Sequence, residues 1–175
     1  MIKLLDGAMG TKLWEMAEKA GIEKVPVWKY NIEQPDFVVD VHKQMIAAGS
    51  EIILTNAFGA NRPMVKRSSD YEVSEVVRAA VKLARKAAEN TDVKVALSVG
   101  PLSELLEPYG DLSEDDCFDI FDEVLNYTNF DMKKRVFELL QVEYQKLMQR
   151  FTYGGASAKK QAVFFFNTKE IHRGE

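Results

Sequence analysis

The chain reads as an α/β protein built on a parallel sheet, and three observations predict it. Apolar runs at residues 2–5, 51–56 and 93–99 have the length and composition of buried strands. Amphipathic helical stretches stand between them. The joins are short, and a β-α-β-α-β-α order with short joins implies parallel neighbours linked by right-handed crossovers.

Each element has a local reason. Residues 2–5 form the first strand. Residues 11–20 have helical character, with Leu13, Trp14 and Ala17 on one face and Gly21 as a stop. Residues 25–31 read as a loop, in which Trp28 and Tyr30 are candidate anchors. Gln34-Pro35-Asp36 opens the next helix, since proline is well placed in a first turn. Phe37, Val38, Val41, Met45 and Ala48 follow at helical spacing and Gly49 ends the run. Residues 51–56 make the second strand, and 57–63 a loop. A long amphipathic helix spans 73–90, with Val76, Val77, Ala80, Val81, Ala84 and Ala88 inward. The third strand, 93–99, is broken by Gly100-Pro101. Ser113 caps a further helix, whose acidic first turn suits the positive end of the helix dipole.

The character of the chain changes near Asp122. Residues 1–122 carry 14 basic and 21 acidic side chains, a net of −7; residues 123–175 carry 9 and 6, a net of +3. The division is therefore drawn as an α/β unit at 1–122 and a tail at 123–175. The tail holds a helical pattern at 130–150, a Gly154-Gly155-Ala156-Ser157 break and a β-prone run at 162–166.

Composition limits the function. With 46% apolar and 29% charged residues, 175 residues are enough for a real core. No apolar run approaches the roughly 18–20 residues of a membrane span, and the first residues lack the sections of a signal peptide, so a cytoplasmic protein is expected. The net charge of −4 argues against general nucleic-acid binding. Cys117 is the only cysteine, which leaves no intrachain disulfide and no cysteine-rich zinc site. Its acidic neighbours raise its pKa, so it reads as a small packed residue rather than a reactive thiolate. His42 lies among apolar neighbours on its helix and reads as a packed residue, not a metal ligand.

Asp6 stands at the end of the first strand, before Gly7 and a helix. Side chains at the C-terminal ends of parallel strands line the ligand face of α/β proteins, so Asp6 is a candidate ligand-binding acid. The plainer reading is a helix cap. Thr55 and Asn56 occupy the same place on the second strand, where they could equally satisfy strand-end backbone groups.

Three segments together resemble the homocysteine S-methyltransferase family. They are Leu4-Leu-Asp-Gly-Ala-Met-Gly-Thr11; then Trp28-Lys-Tyr-Asn31, Pro35, His42, Ala48-Gly49, Ile52-Ile53 and Thr55-Asn-Ala-Phe-Gly-Ala-Asn61; then Ser98-Val-Gly-Pro101 through Leu106-Glu-Pro-Tyr-Gly-Asp-Leu-Ser113. The last stretch is closer to cobalamin-dependent methionine synthases than to the betaine enzymes. The resemblance implies about the first three units of a (β/α)8 TIM barrel, since a complete barrel takes about 250 residues. It implies homocysteine as ligand, with Asp6 on the substrate ammonium, Gly7 giving close backbone approach, Thr55 supplying a hydroxyl and Phe58 an apolar wall. Ala57 stands where the family commonly has threonine. The family holds zinc through three cysteines, and the zinc makes the substrate a thiolate. None of those cysteines, nor a clear counterpart of the family's fourth-strand glutamate, is found here. No catalytic or metal-binding residue is therefore assigned, and any cobalamin belongs to a separate domain.

The expected function is thus the N-terminal part of an enzyme that methylates homocysteine to methionine, inactive as this chain alone. A non-enzymatic α/β module that binds a small ligand or a partner chain is the alternative. A nucleotide-binding fold ranks lower, because Asp6-Gly-Ala-Met-Gly lacks the phosphate-cradling glycine spacing. A parallel sheet of three strands also needs its faces and edge covered, by the tail or by a second copy in a homo-oligomer.

Overall fold

The computed structural model describes residues 4–100 and 102–128 and the short strand at 162–164. In order, these are α1 (Met9–Lys19), a 3-10 turn (Val27–Lys29), α2 (Tyr30–Glu33), α3 (Pro35–Ala47), β1 (Ile52–Leu54), α4 (Arg62–Ser68), α5 (Val73–Ala88), β2 (Lys94–Val99), α6 (Glu114–Asn126) and β3 (Ala162–Phe164). The helical pattern at 130–150 and the glycine break after it lie outside the described residues.

The sheet is parallel where the alternation of elements requires it. β1 pairs with β2 in parallel, Ile53 opposite Val95. The first segment runs parallel to β1 on its other side, through a bridge between Leu5 and Ile52 and a hydrogen bond from the Asp6 N–H to the Ile52 carbonyl at 3.0 Å. The expected strand at 2–5 is thus a single bridge among the described residues. β3 adds to the far edge of β2 antiparallel, Ser98 opposite Val163. That edge is therefore covered from within the chain by part of the β-prone run in the tail. β1 is buried along its whole length and β2 from Val95 onward, as a sheet covered on both faces requires.

Helix α5 packs on α3 and buries Val73, Val76, Val77, Ala80, Val81, Leu83, Ala84 and Ala87. Pro35 opens α3, which buries Val38, Val39, Val41 and His42. The Ser113 hydroxyl accepts the Asp116 N–H at 3.0 Å and so caps α6, which runs through position 122 without a break.

Three sequence expectations are corrected. Trp14 does not share the inward face of α1. Leu13 and Ala17, four residues apart, are buried, while Trp14 sits one residue round the helix, 42% exposed, with its indole N–H on the Val25 carbonyl at 2.9 Å. The 25–31 loop contains helical turns from Val27 to Glu33. The 57–63 loop gives way to α4, capped by Asn61 through the Met64 N–H at 3.2 Å. Pro63 falls in the first turn of α4, where a missing N–H costs nothing, and so starts a helix instead of breaking one.

Candidate functional site

The C-terminal ends of the three parallel segments come together, and side chains stitch them. One Asp6 carboxylate oxygen, Oδ2, accepts the Leu54 N–H of β1 at 2.8 Å. One step along the sheet, Thr55 Oγ1 accepts the Ser98 N–H of β2 at 3.1 Å. Asp6 and Thr55 are therefore neighbours at one rim. The other Asp6 oxygen, Oδ1, is buried without a hydrogen-bond partner among the described residues. Burial raises the Asp6 pKa to about 6, with the Leu54 N–H acting the other way. Asp6 does not cap α1, whose N-cap is Ala8 and receives no side-chain bond. The arrangement is a partly desolvated carboxylate with half its acceptor capacity unspent.

Phe58 lies on the turn after β1 and is 37% exposed, so it is a rim residue and not core. Two glycines make that turn possible. Gly59 has a φ of +77°, a backbone conformation that side chains disfavour. A Cβ on Gly100, at the end of β2, would lie 2.5 Å from the Gly59 nitrogen and 3.1 Å from the Phe58 ring. The bare Gly100 backbone thus lets the Phe58 turn fold over the end of β2. Gly7 is exposed, and a Cβ there would meet only Met45, at ordinary contact distance. No neighbour within the protein demands glycine at that position.

Asn56 turns away from the rim. Its side-chain amide donates to the Val27 carbonyl at 2.7 Å and to Asn31 Oδ1 at 3.0 Å, and its main-chain carbonyl accepts from Asn31 Nδ2 at 2.8 Å. This is the strand-end backbone role that the residue type permits. Trp28, between the two partners of Asn56, is 2% exposed, and its indole N–H has no partner among the described residues. The Asn31–Asn56 pairing was missed by sequence reasoning. The only signal was that both lie in the segments carrying the family resemblance.

Other chemistry-bearing groups stay apart from this rim. His42 is fully buried with both ring nitrogens unpartnered, and burial lowers its pKa to about 4. Cys117 is buried in α6, where burial first and the Glu114 charge second push its thiol up to about 12. A shallow cleft of about 250 Å³, lined by Arg85, Thr91, Asp92 and Lys94 among others, opens at the beginning of β2, the opposite end of the strand.

Parallel strands joined through helices, with Asp6 and Thr55 at their C-terminal ends, define a β/α protein. The homocysteine S-methyltransferase family model matches residues 3–160, and the chain belongs to that family. Among solved structures, the metallated form of the homocysteine methyltransferase MmuM from Escherichia coli is similar, at 24% identity and a TM-score of 0.55, covering 72% of this chain and 49% of that one. The oxidized form of the same protein gives 24% identity and a TM-score of 0.55 over 73% and 49%. The likeness lies in the fold, and the chain spans about half the length of the structures it matches.

Among the described residues no donor set fits a zinc ion. No group of three or more His, Cys, Asp or Glu among the described residues could hold a metal. The chain has one cysteine, and its thiol is the opposite of an activated ligand.

Proposed function

We propose that this chain is the amino-acid-binding half of a homocysteine methyltransferase barrel. In that reading, residues 1–122 supply the first three β/α units. The complete family domain moves a methyl group onto the homocysteine sulfur, forming methionine. This chain contributes the grip on the substrate and not the metal chemistry.

One observation carries the reading: the half-used carboxylate of Asp6 at the strand ends of a chain that belongs to this family. A substrate ammonium would take up the unpartnered Oδ1 and repay the burial of the charge. Thr55 has one lone pair engaged by Ser98 and keeps its O–H to donate. Gly7 leaves its backbone open to the ligand, and Phe58 offers an apolar edge for the thioether or thiol end. Alone, the chain would bind without catalysing. The zinc donors, and any cobalamin, would have to come from elsewhere. A cytoplasmic setting suits a lone thiol, and no described helix is long and apolar enough to cross a membrane.

Calorimetric titration with homocysteine tests the reading. Binding by the unmodified chain, weakened about tenfold or more in Asp6→Asn, is expected for loss of a charge-assisted bond. Equal affinity of the two proteins would refute it. About one tightly held zinc per chain, with methionine formed, would refute the assignment of binding without catalysis.

A further inference from the structure

Two buried amides do more than packing requires. Asn31 and Asn56 are each 3% exposed. Together they make three hydrogen bonds, one from Asn31 Nδ2 and two that use both hydrogens of Asn56 Nδ2. An apolar pair would fill the same space without the desolvation cost of two carboxamides, so the bonds are the reason for their presence. They join two segments distant in sequence. On one side is the 3-10 turn that begins at Val27 and carries Trp28. On the other is the end of β1, where Asn56 sits between Thr55 and Phe58. Trp28 Cδ1 lies 4.0 Å from where a Cβ on Gly59 would stand, so the indole packs directly beneath the Phe58–Gly59 turn.

We propose that Asn31 and Asn56 are positioning residues, a reciprocal amide lock that fixes Trp28 and the Phe58 turn as one wall of the amino-acid site. Neither touches the ligand. The identity of that ligand rests on the function proposed above; the lock itself does not. Since both amides serve one junction, breaking either releases it, and the double variant adds little to the single ones.

The test separates the lock from the ligand. Trp14→Phe leaves Trp28 as the single tryptophan and touches no rim residue. In that background the quenching of Trp28 by acrylamide reports its shielding. Asn56→Ala is expected to raise the quenching constant about threefold or more while thermal unfolding stays a single transition, because a freed surface turn opens locally before the core does. Asn31→Asp, which loses one donation and keeps the acceptor, falls between. Homocysteine affinity, read by calorimetry, drops about tenfold in Asn56→Ala, with Asn31→Ala/Asn56→Ala no weaker than the worse single variant. Unchanged quenching in folded variants overturns the lock, as does a double variant equal to the sum of the singles. If the variants do not fold, the unmodified chain decides by NMR. The side-chain amide hydrogens of Asn31 and Asn56 should exchange at least about tenfold more slowly than those of exposed Asn90, and equal exchange overturns the proposal. Absence of homocysteine binding by the unmodified chain defeats the functional reading alone, since quenching and exchange still decide the lock.

Discussion

Asp6→Asn should stabilise the unliganded protein while weakening the amino-acid binding proposed above. The folded chain holds the Asp6 pKa near 6, against 3.8 for the ordinary carboxylate. Between those values the folded state holds more protons at Asp6 than the unfolded one, so the Asp6 contribution to stability is greatest below about pH 4 and declines as pH rises through 6. At 1.36 kcal/mol per unit the full shift is worth about 3 kcal/mol. Solvent screening of a partly exposed side chain reduces this to about 1–2 kcal/mol. Asparagine keeps an oxygen for the Leu54 N–H and carries no charge. At pH 7.5 it should raise Tm by about 3–8 °C, and the gain should vanish toward pH 4. Urea and thermal unfolding of both proteins from pH 4 to 7.5 would check this. A less stable Asp6→Asn at pH 7.5, or a difference that does not change with pH, would refute the reasoning.

His42 works in the opposite direction over the same window, so it must be measured alongside. Its folded pKa of about 4 lies below the ordinary 6.5, because protonating a buried ring with no partner is costly. Here the unfolded state holds more protons. The stability is present above pH 6.5 and lost as pH falls toward 4, by about 3 kcal/mol at 1.36 kcal/mol per unit. The two effects partly cancel in the unmodified chain, which should lose only about 1–2 kcal/mol between pH 6.5 and 4 from these groups. Asp6→Asn should therefore be the more acid-sensitive protein.

Further outcomes follow from the packing. His42→Leu should hold its stability at pH 7 within about 1 kcal/mol and shift acid unfolding to lower pH, since it removes unpaired nitrogens at similar volume. Gly100→Ala should cost about 2–4 kcal/mol in urea unfolding and weaken homocysteine binding, because its methyl would drive the Gly59 backbone and Phe58 off the end of β2. The Cys117 thiol should resist Ellman's reagent in the folded chain and react fully in denaturant. Deleting residues 162–175 removes β3 from the edge of β2 and should bring concentration-dependent light scattering from a chain that is otherwise folded.

The parallel order of strands was legible because it depends on local signals in sequence. The apolar runs at 51–56 and 93–99, the long stripe of α5 and the Ser113 cap each mark their element with few neighbours involved. What escaped were features decided by distant contacts. Trp14 sits at the border of an apolar stripe, and it is the Val25 carbonyl, eleven residues on, that draws its indole outward. Pro63 reads equally as a breaker or as a first-turn proline until Asn61 is seen to cap α4. Asn56 carries nothing that distinguishes a ligand contact from a strand-end tie; its partners lie 25 and 29 residues away. The family resemblance drew attention to Asp6, Thr55 and Phe58, yet only the fold brings them to one rim.

That rim has a consequence for how its residues must be tested. Asp6 on the first segment accepts an N–H from β1, and Thr55 on β1 accepts one from β2. The first segment and β1 thus each end in a side chain that clips the next strand, extending the backbone ladder by one bond. Each clip uses only part of its group: Asp6 keeps Oδ1, and the Thr55 hydroxyl serves the Ser98 N–H as an acceptor only, a hydroxyl being able to donate as well. The same residues therefore hold the sheet together and, in the function proposed above, would also meet the ligand. A truncation to alanine at either position removes both roles at once and would make a loss of binding indistinguishable from a loosened strand end. Isosteric changes that preserve the clip and cancel only the unspent half are the ones that separate recognition from scaffolding, which is why Asp6→Asn, with its opposite effects on stability and affinity, is the informative substitution at this site.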